Sequence, residues 1–506
     1  MNIMSRLCFE RSFTAALCLF LMLSLINTAF CNEKKDKSDR AKQSAKKADD
    51  PSKKDNGKPE EIKNFPFAEG TGKISDDGVA GLRIVRDKLI LLGYDKNCTS
   101  EALKSDETFS NLNFFKKYSK LVSVEFANIE LTKECLENIQ KFLQKEIQNI
   151  VIDSCEIESS NVELLADIVK KRPELKNVTF RMVENNENDV ETILSALGEL
   201  SKLKTICLAF DKIKNESCQK IAELIKKSAD SLKNLSLAWN GVVEADKESE
   251  AYQKLSEAIG EVKGLKSFEL FLMSIDEKNT ANLFSGIRHL TTLSRFKLFL
   301  GNISIQNDIK LFENAESLGD TLKDMTQLVK LDISGMKLPK DVMQVLAQNL
   351  EYLKKLQYLD ISGNTIDGEC AEILVQSLKG MNELKTLAIN GCELTSQVFS
   401  TLCKLLENSP LIMLYARNNA IKEGVRSLPV KTMTDLQLAD FSKNDVTFEN
   451  AMELIKLTVD HPKLQAINFR ENEPLDSMDE VDKKTKRDEL ENWKRANKCH
   501  VAFFGL

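Results

Sequence analysis

Three aspartates stand at matching places in the C-terminal half of the chain. Asp332 and Asp360 are separated by 28 residues, and Asp440 holds the same place in a later stretch, with Tyr415 between them. If a fold stacks these stretches side by side, Asp332 and Asp360 come within ~5 Å, where like charges repel unless a cation or a basic partner sits there. Paired acids can also do acid–base work, but nothing in the sequence supplies an oxyanion donor or a closed pocket. Two readings remain: a bound basic protein segment, or solvated carboxylates on an open face, where exposed pairs repel weakly. A second set of residues precedes the acids. Phe210, Trp239, Phe271, Leu272, Phe299 and Leu300 occupy places taken later by Ser334-Gly335 and Ser362-Gly363. Six large apolar side chains on neighbouring rungs would make a contiguous patch of the kind that marks a protein interface. Irregular turns folding inward would bury them instead.

Other chemistry is sparse. The 3 histidines, His289, His461 and His500, are scattered and too few for a His-based metal site, so no metal or cofactor is expected. Of the 12 cysteines, Cys8, Cys18 and Cys31 lie at the extreme N-terminus, and the rest form an odd set with no CxxC pair. Cys207 falls at an outward position beside the aromatic set, as a reactive thiol or a shielded one. A net charge of -6 gives no electrostatic case for nucleic-acid binding. Sequons at Asn97, Asn177, Asn215, Asn234 and Asn302 are about what chance yields in an Asn-rich chain, and they carry no weight.

The stretch that must position the acids runs from Leu328 to Pro410. It holds three copies of one unit at 28-residue spacing: LVKLDISGMKL…, LQYLDISGNTI… and LKTLAINGCEL…. Each copy opens with apolar residues at its positions 1, 4, 6 and 11, which alternate as a strand does. A second apolar set at positions 15, 19 and 23, such as Cys370, Leu374 and Leu378, steps along one face of a helix. Position 9 is Asn364 or Cys392, which completes L-x-x-L-x-L-x-x-N/C-x-L.

The pattern resembles the ribonuclease-inhibitor-like class of leucine-rich repeat over residues 121–480. Units start at Leu121, Ile147, Leu175, Leu203, Leu232, Leu265, Leu293, Leu328, Leu356, Leu384, Leu411, Leu436 and Leu464. Position 9 fits in Cys155, Asn240, Asn364, Cys392, Asn419, Asn444 and Asn472, and the misfit units should have less regular turns. The resemblance implies an α/β horseshoe solenoid, with a parallel sheet on the concave face and helices on the convex face. Members of the class bind many unrelated proteins, so the resemblance names no partner. The units from Leu232 and Leu293 exceed the 28-residue length by five and seven residues after their strands, where inserts often serve binding.

The ends read differently. Residues 1–31 form a signal peptide: Arg6 and Arg11, then an uncharged run from Ser12 to Phe30, then Cys31 before the cut. An uncleaved anchor or a lipid-modified Cys31 would tie the protein to a membrane. Residues 32–64 are charged throughout and form a disordered tether. Residues 65–120 form an N-terminal helical cap, with helices expected over Val79–Leu92 and Leu103–Tyr118. The array spans residues 121–475. Residues 476–506 form a C-terminal cap, with a charged helix, Trp493 over the last apolar face and a short strand from Val501.

These observations point to an exported, non-catalytic protein that binds a protein partner through its concave face. No nucleic acid, small-molecule substrate or cofactor is expected. The alternatives are a regulator or substrate-recognition arm, GTPase-activating-like or ubiquitin-ligase-associated, and a tethered surface protein. The leader indicates export while the unpaired thiols suit a reducing destination, and delivery into a host cell would reconcile the two.

Overall fold

Each of the thirteen units places a strand at its third residue. In the computed structural model these strands are β3 (Ser123–Ala127), β4 (Asn149–Asp153), β5 (Asn177–Met182), β6 (Thr205–Ile213), β7 (Asn234–Val242), β8 (Ser267–Leu272), β9 (Arg295–Leu300), β10 (Lys330–Asp332), β11 (Tyr358–Asp360), β12 (Thr386–Ala388), β13 (Met413–Tyr415), β14 (Leu438–Asp440) and β15 (Ala466–Asn468). Two further strands, β1 (Ala80–Val85) and β2 (Lys88–Gly93), precede them, and β16 (Ala502–Phe504) follows. All pair in chain order into one 16-stranded sheet. Among the described residues only β1 and β2 run antiparallel, and every later neighbour is parallel.

The structure describes residues 80–85, 88–93, 122–127, 130–143, 145–182, 186–242, 248–273, 275, 277–301 and 315–505. Contacts divide the chain into Met1–Gly72, outside the described residues, and Lys73–Leu506, which holds everything below. The leader, the tether, the expected helix over Leu103–Tyr118 and the added lengths at 243–247 and 302–314 all lie outside the described residues.

Helices alternate with the strands, and their starts follow from local chemistry. Thr132, Asn186, Asp367, Thr395 and Thr447 each accept a backbone N–H of the first turn, which satisfies donors that a helix leaves orphaned. One face of each helix meets the strand residues at unit positions 4 and 6. Val178 and Phe180, for example, are as fully buried as Val190, Ile193 and Leu197. The last long helix, Glu480–Ala496, is charged, and Trp493 packs partly buried against the core.

The turn after the strand has two forms. At position 9, Asn364, Asn444 and Asn472 are fully buried. The amide of Asn472 donates to Phe441 O and Phe469 O and accepts from Asn444 N and Val446 N, so one side chain serves four backbone groups. These units turn at once: β10 to β15 are 3 residues long. Gly335 and Gly363 sit at position 8 with φ of +75° and +69°, and a Cβ at Gly363 would lie 3.0 Å from Gly335 Cα. β5 to β9 instead run on for 6 to 9 residues.

The helix expected over Val79–Leu92 is not there, and the cap described here is the β1–β2 hairpin. Two six-residue runs stand either side of two residues, and Ala80 pairs with Gly93 through to Val85 with Lys88. That spacing is a hairpin signal. The free edge of β3 also needs partners for its backbone groups, and β2 supplies them.

Candidate protein-binding surface on the open face of the sheet

Strand alternation decides which side chains leave the core. Positions 4 and 6 face the helices, so positions 3, 5 and 7 face the open side of the sheet. In β5 to β9 the strand continues past position 7, and position 8 therefore turns inward with 4 and 6. This corrects four expected partner-binding residues. Phe210, Trp239, Leu272 and Leu300 are at most 2 % exposed and lie within the core. Trp239 Nε1 donates to the hydroxyl of fully buried Tyr252 at 3.1 Å. Phe271, at position 7, lies outside the core cluster yet is only 4 % exposed. Its ring stacks on Phe299 with centroids 4.3 Å apart. Only Phe299 of the six remains half-buried on the open face. The inward reading of this set holds for position 8, although its cause is longer strands rather than irregular turns.

The aspartates do line up. Asp332 pairs with Asp360 in register across β10 and β11, and Tyr415 with Asp440 across β13 and β14. Their surroundings differ. Asp332 is buried and holds Lys297 Nζ at 2.8 Å. Asp360 accepts from Ser362 N and from the Tyr358 hydroxyl at 3.2 Å. Asp440 accepts from Ser442 and Asn468. Among the described residues no lysine or arginine pairs with Asp360 or Asp440.

Burial, and then the charge of Asp332, push the Asp360 carboxyl above the ordinary carboxylate range. Burial also pushes up the hydroxyls of Tyr358 and Tyr415, so both stay protonated. A carboxyl whose pKa is raised by folding destabilises the fold once it ionises. Asp360→Asn should therefore stabilise the protein at pH 7. The gain should be full above the folded pKa and vanish below the unfolded value of about 4. Thermal melts from about pH 3 to pH 8, parent against variant, check the sign.

Sequence reasoning missed the residues that complete this surface. Tyr358, Met413 and Leu438 take position 3 of β11, β13 and β14, and all are half-buried on the open face. The Tyr415 hydroxyl donates to Met413 Sδ at 3.2 Å, and Lys330 Nζ lies 4.3 Å from the Tyr358 ring centre. Ala388, between the two tyrosine-bearing strands, gives the strip a low floor. The signal is present in the sequence as large residues at position 3 of these three units.

The repeating unit of strand, buried Asn turn and capped helix, stacked in parallel register, settles the architecture. The protein is a leucine-rich repeat solenoid. No family model matches the chain. A leucine-rich repeat protein of Leptospira interrogans is similar in structure, at 14% identity and a TM-score of 0.37 over 76% of this chain and 90% of that one. A stretch of 201 residues, 39% of this chain, is 27% identical to dynein heavy chain-like protein 2 of Plasmodium falciparum (isolate 3D7), and it spans only 4% of that protein.

The solenoid shows no other chemical centre among its described residues. None of their groups of histidine, cysteine and acidic side chains could hold a metal ion, and none of their helices is long and apolar enough to cross a membrane. None of their cysteines is joined in a disulfide, and all but Cys499 are buried. Cys207 is among the buried ones, beside Arg181, which pairs with Asp153 at 2.7 Å. Burial pushes the thiols of Cys135, Cys370 and Cys392 up to about 12, so they act as small core hydrophobes.

Proposed function

We propose that the protein is an exported, non-catalytic recognition module that binds a protein partner through the open face of β10 to β14. One observation carries this reading. Tyr358, Met413, Tyr415 and Leu438 stand half-buried on neighbouring strands around Asp360 and Asp440, two carboxylates without a paired cation. Aromatic and methionine side chains that are partly desolvated before binding, with polar groups beside them, are the usual anchors of a protein interface. The pattern of residues 1–31 supports export. A catalytic reading lacks a nucleophile–base pair among the described residues of this face.

The test is affinity capture from the protein's native surroundings with the parent chain and with Tyr358→Ala/Tyr415→Ala in parallel. The proposal requires at least one protein that the parent retains and the double variant loses, with the variant's melting temperature confirming its fold. Equal recovery of every captured protein by both chains would remove this face from the interface.

A further inference from the structure

A row of cations runs along the edge of the sheet where the strands begin. Lys176, Lys204, Lys233 and Lys266 hold position 2 on four successive rungs. Their backbones are bonded directly one to the next: Lys204 N donates to Lys176 O, Lys233 N to Lys204 O and Lys266 N to Lys233 O. On the next two rungs the cation moves to position 3, as Arg295 and Lys330, which are themselves in register. Six consecutive rungs thus carry one cation each, and at ~4.8 Å per rung the row is roughly 24 Å long.

Among the described residues, none of the six is paired with a carboxylate. Lys176 donates to Gln148 Oε1, Lys233 to Gly264 O and Lys266 to Thr292 O, all neutral oxygens. Lys204, Lys233, Lys266 and Arg295 are exposed. Acids on the same edge are engaged elsewhere: Glu174 holds Lys202 at 2.8 Å, and Glu261 holds Lys226 at 3.3 Å. Like charges at this spacing repel, so the row raises the energy of the free protein and is relieved by an anionic ligand.

We infer that this edge, from β5 to β10, binds an extended acidic segment of a partner protein. Three features select that occupant. The cations stand in single file, which suits a chain laid across the rungs. The neighbouring position-3 side chains, Asn177, Thr205, Asn234 and Ser267, are small hydrogen-bonding groups with no ring on which a nucleic-acid base could stack. The exposed large hydrophobic residues of the described chain, Tyr352, Val481 and Phe504, lie on other rungs, so nothing here would enter a lipid surface. Lysine, a point charge on a flexible stem, also tolerates the mismatch between rung spacing and carboxylate spacing better than a fork of arginines would. The inference rests on the reading of the solenoid as a protein-binding module, but not on the tyrosine–aspartate strip.

The experiment measures binding of a fluorescein-labelled deca-glutamate peptide to the full chain at low ionic strength. Single-stranded deca-thymidylate and phosphatidylserine vesicles serve as parallel arms. Lys204→Gln/Lys233→Gln/Lys266→Gln should weaken peptide binding about 10-fold, the sum of three exposed charge pairs. Lys404→Gln/Lys431→Gln/Lys456→Gln, exposed lysines on other rungs, should change it less than about 2-fold. Tyr415→Ala/Leu438→Ala, on β13 and β14 away from Lys330, should leave it unchanged, so failure of the strip and failure of the cation row are read separately. No peptide binding by the parent, equal weakening by the two lysine variants, or binding to the oligonucleotide or vesicles in preference to the peptide would each overturn the inference.

Discussion

Replacing Trp239 by alanine should cost about 3–5 kcal/mol of stability. The indole is the largest fully buried side chain, 1 % exposed. Tyr252 contacts it twice: the two rings lie 6.5 Å apart, and Nε1 donates to the Tyr252 hydroxyl. Truncation removes the transfer energy of the indole, opens a cavity and deletes a buried hydrogen bond to the Tyr252 hydroxyl. The expected result is a lower denaturation midpoint, with Phe210→Ala behaving alike because it faces the same core from the adjacent strand. The alternative placement, on an outward patch, would give the opposite outcome: unchanged stability and a selective loss of partner binding.

Asn472→Ala should be nearly as severe, about 3 kcal/mol, although it removes only one small polar side chain. Four buried backbone groups lose their partner together, and each buried group left unsatisfied costs on the order of 1–3 kcal/mol before the turn relaxes. The bonds join the turn of β15 to that of β14, so the loss also weakens an interface between rungs, and stability in a solenoid is carried by such neighbour terms. Asn472→Asp should not rescue it, because a carboxylate keeps the two acceptor roles but sets negative charge against Phe441 O and Phe469 O. Urea titrations of both variants check this; a loss under about 1 kcal/mol in the alanine variant would mean that water replaces the amide.

Much of the fold was legible because the unit repeats. Apolar residues at positions 1, 4 and 6 marked a strand in the first half of each unit, and β3 through β15 lie there, each starting at the unit's third residue. The face of position 8 was not legible from the consensus, since it depends on where the strand stops. Ser334-Gly335 stops β10 with a left-handed glycine, whereas Ala238-Trp239 lets β7 run on to Val242, and the same position then points the other way. The hairpin before the array was not legible because a run of apolar residues suits either period, and pairing to the edge of β3 decides between them. Of the binding candidates, Asp360, Tyr415 and Asp440 stand on the open face with Phe299, and Asp332 is taken up by Lys297. The cation row was written plainly as Leu175-Lys176-Asn177, Leu203-Lys204-Thr205, Leu232-Lys233-Asn234 and Leu265-Lys266-Ser267, but a lone lysine in each unit reads as a solvated residue until the rungs are stacked.

The central claim is that this solenoid recognises a protein through Tyr358, Tyr415 and their neighbours on the open sheet face. The most direct measurement is the equilibrium affinity of a purified captured partner for three chains: the parent, Tyr358→Ala/Tyr415→Ala, and Glu216→Ala/Glu223→Ala on the exposed side of the helix Asn215–Lys227. Two truncated anchors at roughly 1 kcal/mol or more each should weaken binding about 30-fold, with the helix variant indistinguishable from the parent. Unchanged affinity for the tyrosine variant, with weakened binding by the helix variant, would contradict the account and move the interface to the helical side.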